Sequence, residues 1–182
     1  MLIKIVFQTR KAEEIVTSVR SYAKEQKLKK SPLSVNEVVT EAVKDFTSTL
    51  QDYPLQIEFE EDPRSPICSL APLEFELAVF NLLKNAKEAL KAQKADEPKV
   101  FIKISSGETH CFVDISDNGA VISDSDFERM GSVFKSGKAS GLGIGLSIVR
   151  SIVQNHNGSL VLERGKNGGL VCRIRLPILN AQ

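Results

Sequence analysis

The chain has 182 residues, with 24 Lys+Arg against 23 Asp+Glu for a net charge of +1, and 42% of its residues are apolar. That balance fits an ordinary globular domain with an appendage and argues against a nucleic-acid binder that works through a bulk positive field. No stretch approaches the ~18 consecutive apolar residues that span a bilayer. The opening MLIKIVF is short, contains Lys4 and lacks a small-residue cleavage site, so it does not read as a secretory signal. Cys68, Cys111 and Cys172 form an odd set without CxxC spacing, which indicates neither a disulfide framework nor a zinc site. A cytoplasmic location is the simplest expectation.

Residues 1–35 hold eight basic groups and three acidic ones. Leu2, Ile5, Thr9, Ala12, Val16, Val19 and Ala23 recur there in alternating steps of three and four, a heptad seam. Lys29-Lys30-Ser31-Pro32 ends it, because proline pushes the residue before it to extended geometry. The expectation is a helix over 1–30 that pairs with another helix, followed by a second unit over 31–182. Ser34-Val-Asn-Glu37 reads as a capping box that opens a helix to about Leu50. Leu55–Phe59 alternates as a half-buried strand, and Pro63 and Pro66 bracket a turn. The longest helical pattern runs from Pro72 to about Lys94, and strands are expected near 99–106 and 110–116. A Gly- and Ser-rich stretch covers 117–145, then helix resumes over 146–156 with Asn157-Gly158 as its C-cap. Residues 159–164 and 169–176 read as a hairpin turning at Lys166-Asn167-Gly168. This order predicts an α+β, two-layer sandwich: a mixed, mostly antiparallel sheet with helices on one face.

Three constellations carry chemistry. In the long helix, Phe75, Val79, Leu82, Ala86 and Leu90 form the stripe that packs on the sheet. Asn81, Asn85 and Glu88, at i, i+4 and i+7, share another face. Asparagine is a mediocre helix former, so the pair is either a solvated polar face or a set of amide oxygens suited to Mg²⁺ held jointly with phosphates. The second constellation, Asp114-Ile-Ser-Asp117-Asn118-Gly119, ends a strand in a turn, where Asp-Asn-Gly is common for local reasons. An ionised carboxylate at a pocket floor accepts hydrogen bonds only, so it can also select an exocyclic amino group such as that of adenine. The third, Gly141-Leu142-Gly143-Ile144-Gly145-Leu146, opens directly into an apolar helix. It is either a flexible loop before an ordinary helix or a phosphate cradle of bared amides at the positive end of a helix dipole. Its spacing is GxGxG rather than GxGxxG, and no hydrophobic strand precedes it. Around Gly131–Ala139, alanine stands where a Walker loop binds Mg²⁺ through Ser or Thr. Both better-known phosphate loops therefore fail.

In this order the three constellations resemble the N, G1 and G2 boxes of the Bergerat-fold ATPases, which include DNA gyrase, mismatch-repair ATPases, heat-shock chaperones and sensor histidine kinases. NLLKNAKEA, DISDNG, VFKSGK as an F box and GLGIGLSIVRSIVQNHNGSL are worded as in the histidine kinases, and the resemblance covers residues 30–178. RKAEEIVTSVRSYAKEQ looks like the second helix of that family's dimerisation hairpin. The resemblance implies an ATP-binding kinase domain. Asn85 would coordinate Mg²⁺ bridging the phosphates, with Asn81 in support. Asp117 would bind the adenine amino group, and Gly119 would let the backbone approach the ring. Phe134 would anchor a lid, while Gly141, Leu142, Gly143, Gly145 and Leu146 would wrap the phosphates at the start of the helix. Lys138 would contact the terminal phosphate, and Lys87 points away from the asparagines.

Three departures stand out. Glu88 occupies a position where many relatives carry a basic residue, and it would act through water or on the incoming histidine. Ala120-Val121 replace the usual Pro-Gly. Val171 and Cys172 stand where relatives often have Thr and Phe, which makes Cys172 a small core hydrophobe. Neither His110 nor His156 sits in a phosphoacceptor context. His156 suits a helix C-terminus electrostatically and reads as structural, as does His110. The chain thus reads as part of a longer sensor kinase, cytoplasmic itself, whose parent is free or membrane-anchored. Its expected partners are the phosphoacceptor histidine hairpin, a response-regulator receiver domain, and a second copy through the N-terminal helix, with no nucleic acid. Two other readings stay open: a stand-alone Bergerat serine kinase of the anti-sigma type, and a degenerate scaffold that no longer takes nucleotide.

Overall fold

Ser34 caps the first helix as its spacing predicts: its Oγ accepts from the Glu37 N–H at 3.4 Å, and α1 runs over Val35–Ser48. The computed structural model describes residues 29–51, 53–133, 143–166 and 168–179. The expected heptad helix lies outside the described residues apart from its last two positions, where the Lys30 ammonium donates to the Asn155 carbonyl. Just before α1, strand β1 (Ser31–Ser34) pairs antiparallel with β3 (Ile67–Leu70). Alternation does not announce this ribbon. Each strand has four residues, and Pro32 offers no N–H to a ladder, which only an edge tolerates. Asp62 ties the ribbon to the sheet. Its buried carboxylate accepts from the Arg64 N–H at 2.9 Å and from Ser106 Oγ at 2.5 Å, and its carbonyl accepts from Asn36 Nδ2 at 2.8 Å. Burial pushes the Asp62 carboxyl up, but the bonds from Ser106 and Arg64 outweigh it and hold the group below its ordinary value.

The main sheet runs β2 (Gln56–Glu60), β4 (Lys99–Ser106), β5 (His110–Asp117), β7 (Leu170–Pro177), β6 (Ser159–Arg164), and only the β2–β4 pairing is parallel. Period-2 alternation turns Ile102 and Ile104, Val113 and Ile115, and Ile174 and Leu176 inward, where all are buried. α1, α2 (Pro72–Ala92) and α4 (Gly143–Asn155) cover that face, with α2 between the other two. Pro72 opens α2, and the whole predicted stripe from Phe75 to Leu90 is buried. Each of its larger side chains, Phe75, Val79, Leu82 and Leu90, contributes roughly 1.5–3 kcal/mol of transfer free energy. This is the two-layer α+β sandwich that the element order implies. Cys172 lies in this core as expected, its thiol pushed up to about 12 chiefly by burial.

The Gly- and Ser-rich stretch also contains a helix, α3 (Asp124–Val133). Ser123 Oγ accepts from the Asp126 N–H at 3.2 Å and bonds Asp126 Oδ2 at 2.7 Å, so Ser123-x-x-Asp126 is a capping pair. Arg164 fastens α3 to β6, pairing with Asp124 at 2.6 Å and lying 4.8 Å above the Phe127 ring.

α4 starts at Gly143, three residues earlier than the pattern predicts, and ends at the expected cap: Asn157 takes the left-handed φ of 57° and the Gly158 N–H bonds the Val153 carbonyl at 2.9 Å. His156 is structural, but not as a cation at the end of the helix. Its ring is 2% exposed, Nδ1 donates to the Ile152 carbonyl at 2.7 Å, and Nε2 accepts from the Ala71 N–H at 3.0 Å. An accepting Nε2 requires the neutral ring. Ala71 precedes α2 and has no side-chain cap, so His156 supplies from another helix what Ala71 lacks. His156→Leu should strand that amide at a cost of about 1–3 kcal/mol, and thermal unfolding should show a melting point lower by roughly 5 °C.

Candidate functional site

Asn85 projects from the fourth turn of α2 toward the first turn of α4. A Cβ on Gly145 would lie 3.1 Å from Asn85 Oδ1 and 3.3 Å from Nδ2, so the glycine leaves the room that the amide occupies. Asn85 Nδ2 is buried and has no hydrogen-bond partner. The spare donors and positive dipole end of α4 start at Gly143, beside this amide. One turn earlier on α2, Asn81 Nδ2 donates to the Leu77 carbonyl at 2.8 Å, which fixes the amide and leaves its oxygen as an acceptor. The Leu146 side chain is buried in the core, so at the α4 terminus that residue has only its backbone to offer.

Eight residues further along α2, about 12 Å at 1.5 Å per residue, the helix ends beside the turn that follows β5. There Asp117 Oδ1 accepts from the Gly119 N–H at 2.9 Å, an Asx turn, and Oδ2 accepts from the Leu170 N–H at 3.2 Å. Burial raises the Asp117 pKa, and the two backbone bonds offset part of the rise. A Cβ on Gly119 would sit 2.6 Å from Asp117 Oδ1 and 2.7 Å from Gln93 Oε1, so a larger residue would have to displace both side chains. Asn118 anchors the turn from outside: Oδ1 accepts from the Lys99 N–H and Nδ2 donates to the Glu97 carbonyl, both at 2.8 Å. The structure therefore brings Asn85 to Gly145, and Asp117 to Gly119, at two places along the C-terminal half of one helix. Glu88 is exposed and faces Lys84 at 3.9 Å rather than either cluster. Lys87 points away as expected, donating to the Thr49 carbonyl at 3.4 Å with Nζ 5.9 Å from the Tyr53 ring centre. Phe134, Lys138, Gly141 and Leu142 lie outside the described residues.

Residues 71–180 match the family model described as histidine kinase-, DNA gyrase B- and HSP90-like ATPase. The chain belongs to this ATPase family. It is 26% identical, over 96% of its length, to the C4-dicarboxylate transport sensor protein DctS of Rhodobacter capsulatus, of which it covers 27%. It is also 26% identical, over 93% of its length, to the sensor protein FixL of Bradyrhizobium diazoefficiens, of which it covers 34%. The chain thus spans about a quarter to a third of the length of these relatives. Among solved structures, a nucleotide-free catalytic domain of the histidine kinase ThkA matches with a TM-score of 0.69 and 24% identity, covering 81% of this chain and 97% of that one. ThkA in complex with the response regulator TrrA matches with a TM-score of 0.75 and 24% identity, covering 96% of this chain and 49% of that one. The two-layer fold is therefore that of histidine kinase catalytic domains.

Two residues that hold the Asp117 turn escape a reading by motif. Gln93, the residue that ends α2, bonds the turn after Asp117, and Gly169, in the β6–β7 connection, packs on Asp117 itself. The stripe Asn85, Ala89, Gln93 at i, i+4, i+8 is the one local signal for the first. Gly169 has φ +71°, and a Cβ there would fall on the Asp117 carbonyl oxygen. Gly169→Ala should therefore dislodge the turn, destabilise the chain by about 2 kcal/mol or more, and weaken any ligand held by Asp117; denaturant unfolding and ligand titration check both effects. A depression of 350 Å³ adjoins Gln93, Gly119 and Ala120. Another, of 580 Å³, lies on the outer face of the sheet around Lys103, Asp114 and Arg173, away from Asn85.

Proposed function

We propose that the chain is the ATP-binding catalytic domain of a two-component sensor histidine kinase and passes the γ-phosphate of Mg·ATP to a histidine presented on a separate helical hairpin. The observation that supports this most is the arrangement along α2, with an unpartnered amide facing a glycine-bared helix terminus in its fourth turn and an acceptor-only carboxylate beside its C-terminal end. These residues fit a magnesium nucleotide. No group of three or more His, Cys, Asp or Glu able to hold a metal exists among the described residues, so an ion here would be shared between Asn85 and phosphate oxygens. Mg²⁺, when bound, neutralises charge on those oxygens.

In this reading Asn85 Oδ1 holds the ion and Asn81 Oδ1 supports it. The first-turn amides of α4, from Gly143, Gly145 and Leu146, face the phosphates. Asp117 accepts from the adenine amino group, and Gly119 leaves space for the ring. Gly141, Leu142, Phe134 and Lys138 keep the expected roles of wrapping the phosphates, anchoring a lid and contacting the terminal phosphate. Glu88, exposed beside Lys84, is read as acting through water or on the incoming histidine rather than on the phosphates. An acceptor imidazole nitrogen attacks the γ-phosphorus in line while ADP leaves. The protein's share is positioning and electrostatics.

Neither histidine of the chain suits the acceptor role. Both nitrogens of His156 are engaged in the core, and those of His110 lie 2.7 Å from Thr109 Oγ1 and 3.0 Å from Arg175 Nη2. The acceptor is therefore supplied in trans. A receiver domain as downstream partner, dimerisation through residues 1–30 and a cytoplasmic location complete the proposal. No helix among the described residues is long and apolar enough to cross a membrane.

The test combines nucleotide titration with transfer to a separately expressed hairpin that carries His followed by an acidic residue. Mg²⁺-dependent ATP binding and acid-labile phosphate on the hairpin are expected, with none retained on the chain. Phosphate on His110 would contradict transfer in trans. Absence of nucleotide binding would favour the degenerate scaffold, and phosphoserine on a captured partner the anti-sigma type.

A further inference from the structure

We propose that Gln93 is a positioning residue for the base end of the nucleotide site, a clamp that holds the turn of Asp117–Ala120 so that the Asp117 carboxylate stays aimed at the adenine amino group. The inference rests on the nucleotide reading above. Gln93 Oε1 accepts from the Ala120 N–H at 2.7 Å. From the opposite side, the Ala120 carbonyl accepts from the Gly169 N–H at 3.0 Å. Both backbone polar groups of Ala120 are thus held by separate elements, the end of α2 and the β6–β7 connection. Ala120 itself is exposed, so without these bonds it has little packing to keep it in place.

The clamp reaches Asp117 through Gly119. The position a Gly119 Cβ would take lies 2.7 Å from Gln93 Oε1 and 2.6 Å from Asp117 Oδ1, so the glycine is sandwiched between the two side chains. Its N–H is one of the two donors that orient the carboxylate. Releasing Ala120 lets the Gly119 peptide turn, and one of the two orienting bonds goes with it. The clamp also gives a physical sense to Ala120. A proline there would have no N–H for Gln93, so alanine keeps the donor, and the hydrogen bond does from outside what a ring would do through φ. Gln93 is exposed at the end of α2, where its side chain serves the turn.

The experiment uses the full 182-residue chain. Gln93→Met keeps length and flexibility but removes the acceptor. Calorimetric titration at saturating Mg²⁺ should show ATP bound about fivefold more weakly, the loss of one neutral hydrogen bond. Inorganic tripolyphosphate, measured by the same titration, engages only the Asn85 end, and its affinity should be unchanged. A general structural defect would weaken both ligands alike. Unchanged ATP affinity in Gln93→Met, or an equal loss for tripolyphosphate, would overturn the clamp while leaving the nucleotide reading intact. Failure of the unsubstituted chain to bind ATP would remove both.

Discussion

Asn85→Ala should lower phosphotransfer to a hairpin histidine by about a hundredfold, the usual scale for removing a preorganised polar group from a reacting centre, without lowering the stability of the nucleotide-free chain. The two effects separate because of what Asn85 does in the nucleotide-free chain. Its Nδ2 is buried without a partner, and a buried unsatisfied donor is destabilising by about 1–3 kcal/mol. Alanine removes that donor, and it is the better helix former. The free chain should therefore melt at the same temperature or higher. Wild type should gain melting temperature when Mg·ATP is added, because a ligand that binds only the native state stabilises it. The variant should lose most of that gain. Asn81→Ala is the control on the same face: its amide bonds the Leu77 carbonyl, so its removal takes away a made bond instead of an orphan. A full ATP-induced shift in Asn85→Ala would refute the assignment of the phosphate end.

What the amino-acid sequence discloses here follows from how local each feature is. Asn85, Asp117 and Gly145 are readable because each is placed by its own helix, turn or glycine spacing, and the buried stripe of α2 follows its periodicity from Phe75 to Leu90. The clamp is not readable in this way, because Gln93 meets Ala120 across 27 residues and Leu170 meets Asp117 across 53, distances that no local pattern encodes. The ribbon of β1 and β3 is hidden for a related reason: two four-residue strands, one containing Pro32 and the other following Pro66, are defined only by each other. α3 is a different case. Its start is written in Ser123-x-x-Asp126, but the polar surroundings mask a helix that Arg164 holds from another strand. His156 shows that a correct role can have another cause. The helix dipole favours a cation at that position, yet the core around it and the Ala71 amide select the neutral ring.

Asp117→Asn should weaken ATP binding by about a hundredfold, since a charge-assisted bond to the adenine amino group is replaced by a donor facing a donor. The same variant should alter how the free chain responds to pH. Burial is the leading influence on Asp117 and raises its folded pKa above the unfolded value. Folding therefore favours the protonated group. That stabilisation is fully present below the ordinary carboxyl pKa of about 3.9 and is lost as pH rises through the elevated folded value. Affinity for ATP runs the other way, because only the ionised carboxylate accepts from the amino group without offering a proton of its own. As pH rises from acid toward neutral, the contribution of Asp117 to stability should thus fall while ATP affinity climbs, both over the titration of one group. The side-chain amide of the variant does not ionise, so the difference between wild type and Asp117→Asn isolates that group from other carboxyls such as Asp62, whose pKa moves the opposite way. Denaturant unfolding of the free chain and ATP titration across the acid range measure the two limbs. If both limbs persist in Asp117→Asn, the carboxylate is not the adenine acceptor, and the turn that Gln93 and Gly169 hold in place serves some other group.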